Sequence, residues 1–126
     1  MELKKTYDFF ISFHRNAFKP EVGTGAEVYV YRAYNTKLKP LAAKIQKTLV
    51  GVGFRDRGVK EADFYVLKHT KAPALLLEIG FIDNSADNKL FDSKFEAIVD
   101  GIANAIIEVV GVKKDNRCPT CGQLVV

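Results

Sequence analysis

The run Ala74–Ile79, ALLLEI, opens with four apolar residues and shows no polar alternation there, so it reads as a strand covered on both faces. Such a strand requires a sheet with material packed above and below it. Two other segments supply neighbours. Tyr7–Phe13 (YDFFISF) is an aromatic and β-branched run that also reads as a buried central strand, and Ala26–Tyr31 (AEVYVY) reads as a further one. Between them, residues 16–25 hold Pro20, Gly23 and Gly25, which marks a loop. A short strand is expected at Phe64–Leu67, while Phe54–Ala62 is polar and reads as irregular.

Helical spacing appears twice. From Leu38 onward, Leu41, Ala42, Ile45 and Leu49 recur on one face, with Pro40 tolerable in a first turn and Gly51 or Gly53 placed to end the helix. Phe91, Phe95, Ile98, Val99, Ile102, Ala103, Ile106 and Val110 form a second, broader stripe. Ser93 and Glu96 have capping-box spacing at its start, and Gly111 can terminate it. Strand and helix alternate, so the class is α/β, an open mixed sheet flanked by helices. With 126 residues and 48% apolar content, the chain suffices for one core. The expected organisation is one domain over residues 1–111, then a linker and CxxC tail over 112–126.

The formal net charge of +4 is spread over residues such as Lys4, Lys44, Lys68, Lys113 and Arg117 rather than gathered in one stripe. That argues weakly for an anionic partner and against a nucleic-acid-binding module, which would need a concentrated basic face. No run of 18 apolar residues exists, and MELKKTYDFF lacks the segments of a signal peptide, so neither a membrane span nor an export signal is expected in this sequence.

Two residues stand out as chemical. His14 follows a strand at its carboxyl end, where open α/β sheets place ligand sites; it is either a metal ligand or an ordinary structural histidine. Glu78 is the only charge between Ala72 and Ile82. Burying an unpaired carboxylate costs several kcal/mol or raises its pKa, so Glu78 has either a catalytic or metal-linked task or an internal ion pair, for instance with Arg57. A histidine and a glutamate at the ends of two buried strands of one sheet could face one crevice, the layout of metal-assisted hydrolysis. His69 reads as a solvated surface residue.

FFISFHRNAF, GAEVYVY and FYVLKHTKAPALLLEIGFIDN resemble, in order and spacing, the later motifs of the zinc-dependent N-acetylmuramoyl-L-alanine amidases. The resemblance covers roughly residues 6–110. It implies a hydrolase that cleaves the amide between N-acetylmuramic acid and L-alanine in peptidoglycan, by attack of a zinc-bound water. His14, in the SxHxNA-like motif, matches a Zn2+ ligand, and Glu78, in LLLEIGF, matches the catalytic glutamate. Asn16 and the Gly23–Glu27 loop, Glu27 included, would line the substrate groove. The family's DxGHGG-like histidine and a helix-borne glutamate complete the zinc site, and neither has a counterpart here. An N-terminal strand and helix of the fold are therefore expected to be absent from this chain, leaving an exposed sheet face and edge.

Cys118 and Cys121, in CPTCG, form half of a zinc-ribbon-like site, a redox pair or a free tail. The expected partner is peptidoglycan, with no nucleic acid or membrane, and the open sheet or the cysteine tail offers a route to a homo-oligomer. The expected location is the cell wall, or the cytoplasm until lysis for a phage enzyme. The alternative is a catalytically silent amidase-like protein that binds peptidoglycan or a full-length partner.

Overall fold

A computed structural model describes residues 10–31, 35–63 and 72–111 of the chain, with residues 35–37 and Val110 described by backbone alone. The expected Phe64–Leu67 strand, His69, Tyr7–Phe9, Cys118, Cys121 and the 112–126 segment lie outside the described residues. Seven elements run in the order β1 (Phe10–Asn16), β2 (Ala26–Tyr31), α1 (Asn35–Val52), β3 (Asp56–Ala62), β4 (Ala74–Phe81), α2 (Ser85–Ser93) and α3 (Phe95–Val110). The strands form a mixed sheet in the order β1-β4-β2-β3, in which β1 runs parallel to β4, β2 antiparallel to β4, and β3 parallel to β2.

Strand β4 is interior in the sheet and buried from Ala74 to Leu77, as its uninterrupted apolar run requires. Its side chains alternate between two faces. Leu75, Leu77 and Ile79 join Val28, Val30 and the apolar stripes of α1 and α3 in the main core, with Leu90 and Phe91 of α2 packed against it. Ala74 and Leu76 point the other way, toward Phe10, Tyr29 and Tyr31. Leu38, Leu41, Ala42, Ile45 and Leu49 of α1 are fully buried, so the helical stripe is the surface laid on the sheet. α1 crosses α3 closely at Gly101, where an added Cβ would lie 2.1 Å from Thr48 Cγ2.

The structure departs from the sequence reading in four places. β1 is not central among the described residues: it pairs with β4 on one side only, and Phe13 is 59% exposed. Its aromatic run shows that the strand suits cover, but cover depends on what packs there. The polar 54–62 stretch contains β3, at the edge of the sheet among the described residues and held through parallel pairing with β2, where backbone hydrogen bonding overrides weak strand propensity. The stripe from Phe91 is divided, since α2 ends at Ser93 and α3 begins at Phe95. Ser93 therefore makes no capping box; Lys94 precedes α3 without a side-chain cap, and the working cap is Asn84, which accepts a hydrogen bond from the Asp87 N–H. Finally, α1 starts at Asn35, so Pro40 sits in its second turn. Gly111 does end α3, in the left-handed conformation.

Candidate active site

Register places three chemical side chains in one row. His14 of β1 lies opposite Glu78 of β4, and Glu78 lies opposite Glu27 of β2. Adjacent strands are about 4.8 Å apart, so the row crosses three strands within the reach of a small substrate group. Period-two alternation puts these residues on the face opposite the helices, with Ser12 and Leu76 below them. His14 lies within β1 rather than just after it; it is exposed, and its Nε2 is 2.7 Å from the Ser12 hydroxyl.

The two glutamates have opposite electrostatic surroundings. Glu27 is 2% exposed, and its oxygens accept hydrogen bonds from Lys60 Nζ, the Tyr29 hydroxyl and Arg57 Nε, the last at 3.0 Å. Burial alone would raise its pKa, but these donors, Lys60 first, hold it below the usual carboxylate range. Tyr29 pays for the arrangement: burial and its bond to Glu27 push the phenol up to about 12. Arg57 also lies 5.1 Å from the centre of the Phe81 ring. Arg57, named as one alternative partner for Glu78, pairs with Glu27.

Glu78 has no such saturation. Its Oε1 is buried and lacks a hydrogen-bond partner among the described residues. Burial raises its pKa, the His14 charge lowers it, and the Glu27 charge raises it, with a net upward shift. A half-buried carboxyl with an elevated pKa and a free oxygen suits the uptake and delivery of a proton.

Around this row the loops are pinned. Asn16 accepts a hydrogen bond from the Ala17 N–H at 2.9 Å, and its side-chain amide reaches Glu27 at 3.5 Å. Glu27 itself stands in β2 and not in the loop. Asp87, buried at the start of α2, accepts hydrogen bonds from Gly25 N, Phe81 N and the Thr24 hydroxyl. Sequence reasoning missed Asp87, Tyr29, Lys60 and Arg15. The spacing Asn84-x-x-Asp87 was a usable signal for a helix start; the donors around Glu27 come from separate strands and carry no local signature.

Among the described residues, no group of three or more His, Cys, Asp or Glu side chains is placed to hold a metal ion. His14, exposed and in register with Glu78, has the chemistry of one zinc ligand, and a catalytic zinc takes three protein ligands.

A family model described as N-acetylmuramoyl-L-alanine amidase matches residues 2–108. The N-acetylmuramoyl-L-alanine amidase CwlM of Bacillus licheniformis is 39% identical over 111 residues, covering 86% of this chain and 43% of the relative. The endolysin of Bacillus phage SPP1 is 36% identical over 115 residues, covering 85% of this chain and 42% of the relative. The solved catalytic domain of CwlV, an amidase from Bacillus (Paenibacillus) polymyxa, superposes with a TM-score of 0.71 at 33% identity, covering 84% of this chain and 59% of that one. The chain thus spans less than half the length of these two curated relatives. The match extends over the strands that carry His14, Glu27 and Glu78, and the chain belongs to the N-acetylmuramoyl-L-alanine amidase family.

Proposed function

We propose that this chain takes part in hydrolysing the amide bond between N-acetylmuramic acid and L-alanine in peptidoglycan, with Glu78 as the catalytic acid–base and His14 as a zinc ligand. The observation that carries this reading is Glu78, whose buried Oε1 has no hydrogen-bond partner among the described residues and whose carboxyl pKa is pushed up by burial, in one register row with His14. Glu78 holds a proton close to the scissile amide and delivers it to the departing L-alanine amine, a transfer worth about 10²–10⁴-fold in rate. Zinc, when bound through His14 and ligands from outside the described residues, would polarise the amide carbonyl. Asn16 lines the groove beside the row. Glu27 is buried beneath Tyr29, Arg57 and Lys60, so it fixes these side chains and the local field rather than touching substrate. The names of the relatives, an amidase and a phage endolysin, support action at the cell wall. No helix among the described residues is long and apolar enough to cross a membrane.

The test is release of new L-alanine amino termini from purified cell walls, with and without added zinc. Zinc-dependent release is expected, with a loss of about 100-fold or more in Glu78→Gln and abolition in His14→Ala. Release that survives Glu78→Gln would overturn the assignment of the acid–base. One observation favours a second reading, a catalytically silent wall-binding protein: among the described residues no three His, Cys, Asp or Glu side chains come together to hold a metal, and a catalytic zinc takes three protein ligands. It predicts co-sedimentation with cell walls and no amino-terminal release at any zinc concentration.

A further inference from the structure

Directly beyond the His14–Glu78 pair, the register of β1 and β4 slips by one residue. Phe10 to His14 pair in step with Ala74 to Glu78, but Asn16 then pairs with Phe81. β4 carries the extra residue. Gly80 is buried there with φ +76°, and a Cβ on it would lie 2.7 Å from the Phe54 ring and 3.3 Å from Arg15 Nη2. A bulge of this kind interrupts the ladder. Arg15 bonds two carbonyls of this stretch, the Phe81 one shared with the Asn84 N–H at 3.2 Å. Its Nε donates to the Ile79 carbonyl, and its Nη2 donates to the Phe81 carbonyl at 3.3 Å and to Asn88 Oδ1 of α2 at 2.9 Å. Its guanidinium carbon also lies 4.3 Å from the centre of the Phe91 ring.

Strand alternation sends Arg15 to the helix side of the sheet, while its neighbour His14 faces the opposite side. We infer that Arg15 is a positioning residue: from behind the sheet its fork grips both flanks of the β4 bulge and so fixes the backbone from which Glu78 is presented toward His14. This rests on the reading of Glu78 and His14 as the functional pair. A guanidinium suits the task because its donors lie in one rigid plane and can serve two carbonyls and an amide together. A lysine ammonium keeps the charge but is a compact point donor on a flexible stem. Misplacement of a reacting group by about 1 Å can cost on the order of 100-fold in rate.

The test compares the wild-type chain with Arg15→Ala and Arg15→Lys by NMR. Amide exchange at Phe81 and Ile82 is expected to speed up about tenfold or more in both variants, while Leu75 and Leu77 in the same strand keep their protection. The χ1-reporting couplings of Glu78 are expected to move from a single-rotamer pattern in wild type to an averaged one in both. Where wild type releases L-alanine termini, turnover should fall about tenfold in both variants with KM within about twofold. Unchanged Glu78 couplings would overturn the proposal, and so would exchange that accelerates equally at Leu75 and Leu77, which signifies a general loss of stability. If Arg15→Ala does not fold, Arg15→Lys carries the same comparison. A wild-type chain without turnover would count against the amidase reading alone, because exchange and couplings report the clamp without catalysis.

Discussion

Glu78 and Glu27 face each other across β4 and β2, yet their ionisation acts on stability with opposite sign. The Glu78 pKa is raised on folding, so its contribution is fully present below the ordinary value of 4.5 and is lost as pH rises through the folded value. Glu78→Gln should therefore be more stable than wild type at pH 7, with the difference closing below about pH 4. The Glu27 pKa is lowered on folding, so its contribution is present above 4.5 and is lost as pH falls through the folded value. Glu27→Gln should destabilise at pH 7 by about 1–3 kcal/mol, since it leaves Arg57 and Lys60 without their anion while both keep some contact with water. Denaturant midpoints of the two variants measured from pH 3 to pH 8 check both signs; a Glu78→Gln that is less stable than wild type at pH 7 would refute the desolvated state of that carboxyl. Glu78 was conspicuous in the sequence because a single charge in an apolar run has few bland explanations. The cations around Glu27 were not legible, because they sit on β3, a strand that the sequence hid.

At the scale of elements, a strand or helix was legible where its own side chains decide it, and illegible where a neighbour decides it. The ALLLEI run and the Leu38–Leu49 stripe bury their apolar faces fully, and the sequence spacing is enough to say so. β3 exists because β2 offers it hydrogen-bond partners, and no periodicity in DRGVKEA announces that. The break between α2 and α3 is likewise invisible in an apolar stripe that continues across it. The caps give a direct check. Asn84→Ala should cost about 1 kcal/mol, since it removes the acceptor for the Asp87 N–H, whereas Ser93→Ala should change stability by less than about 0.5 kcal/mol. Equal losses would restore the cap at Ser93. The α1–α3 crossing gives another: Gly101→Ala should destabilise by about 1–3 kcal/mol through contact with Thr48 Cγ2, and Thr48→Ser, which deletes that methyl, should recover most of the loss. Additive effects in thermal unfolding of the double variant would show that the helices separate instead.

For the molecule as a whole, the sheet is asymmetric in its cover. β1 forms its edge among the described residues, and beside it a groove of about 490 Å³ runs between β1 and α3, lined by Phe13, Ile79, Phe95, Ile98, Val99 and Ile102 among others. Phe95 and Val99 are 51% and 47% exposed, so no described residue covers this apolar wall fully. Contiguous apolar exposure beside a strand edge unpaired among the described residues favours association. The sequence reading expected an open mixed sheet flanked by helices, and the described strands form one. The chain should therefore bind an apolar dye in the folded state and show concentration-dependent association in sedimentation. Phe95→Lys with Val99→Lys should weaken both, and should leave the unfolding midpoint nearly unchanged, because side chains half in water have little burial to lose. A drop in midpoint comparable to that of a core truncation, about 2–5 kcal/mol, would mean that this face is already packed in solution and that the groove is closed there.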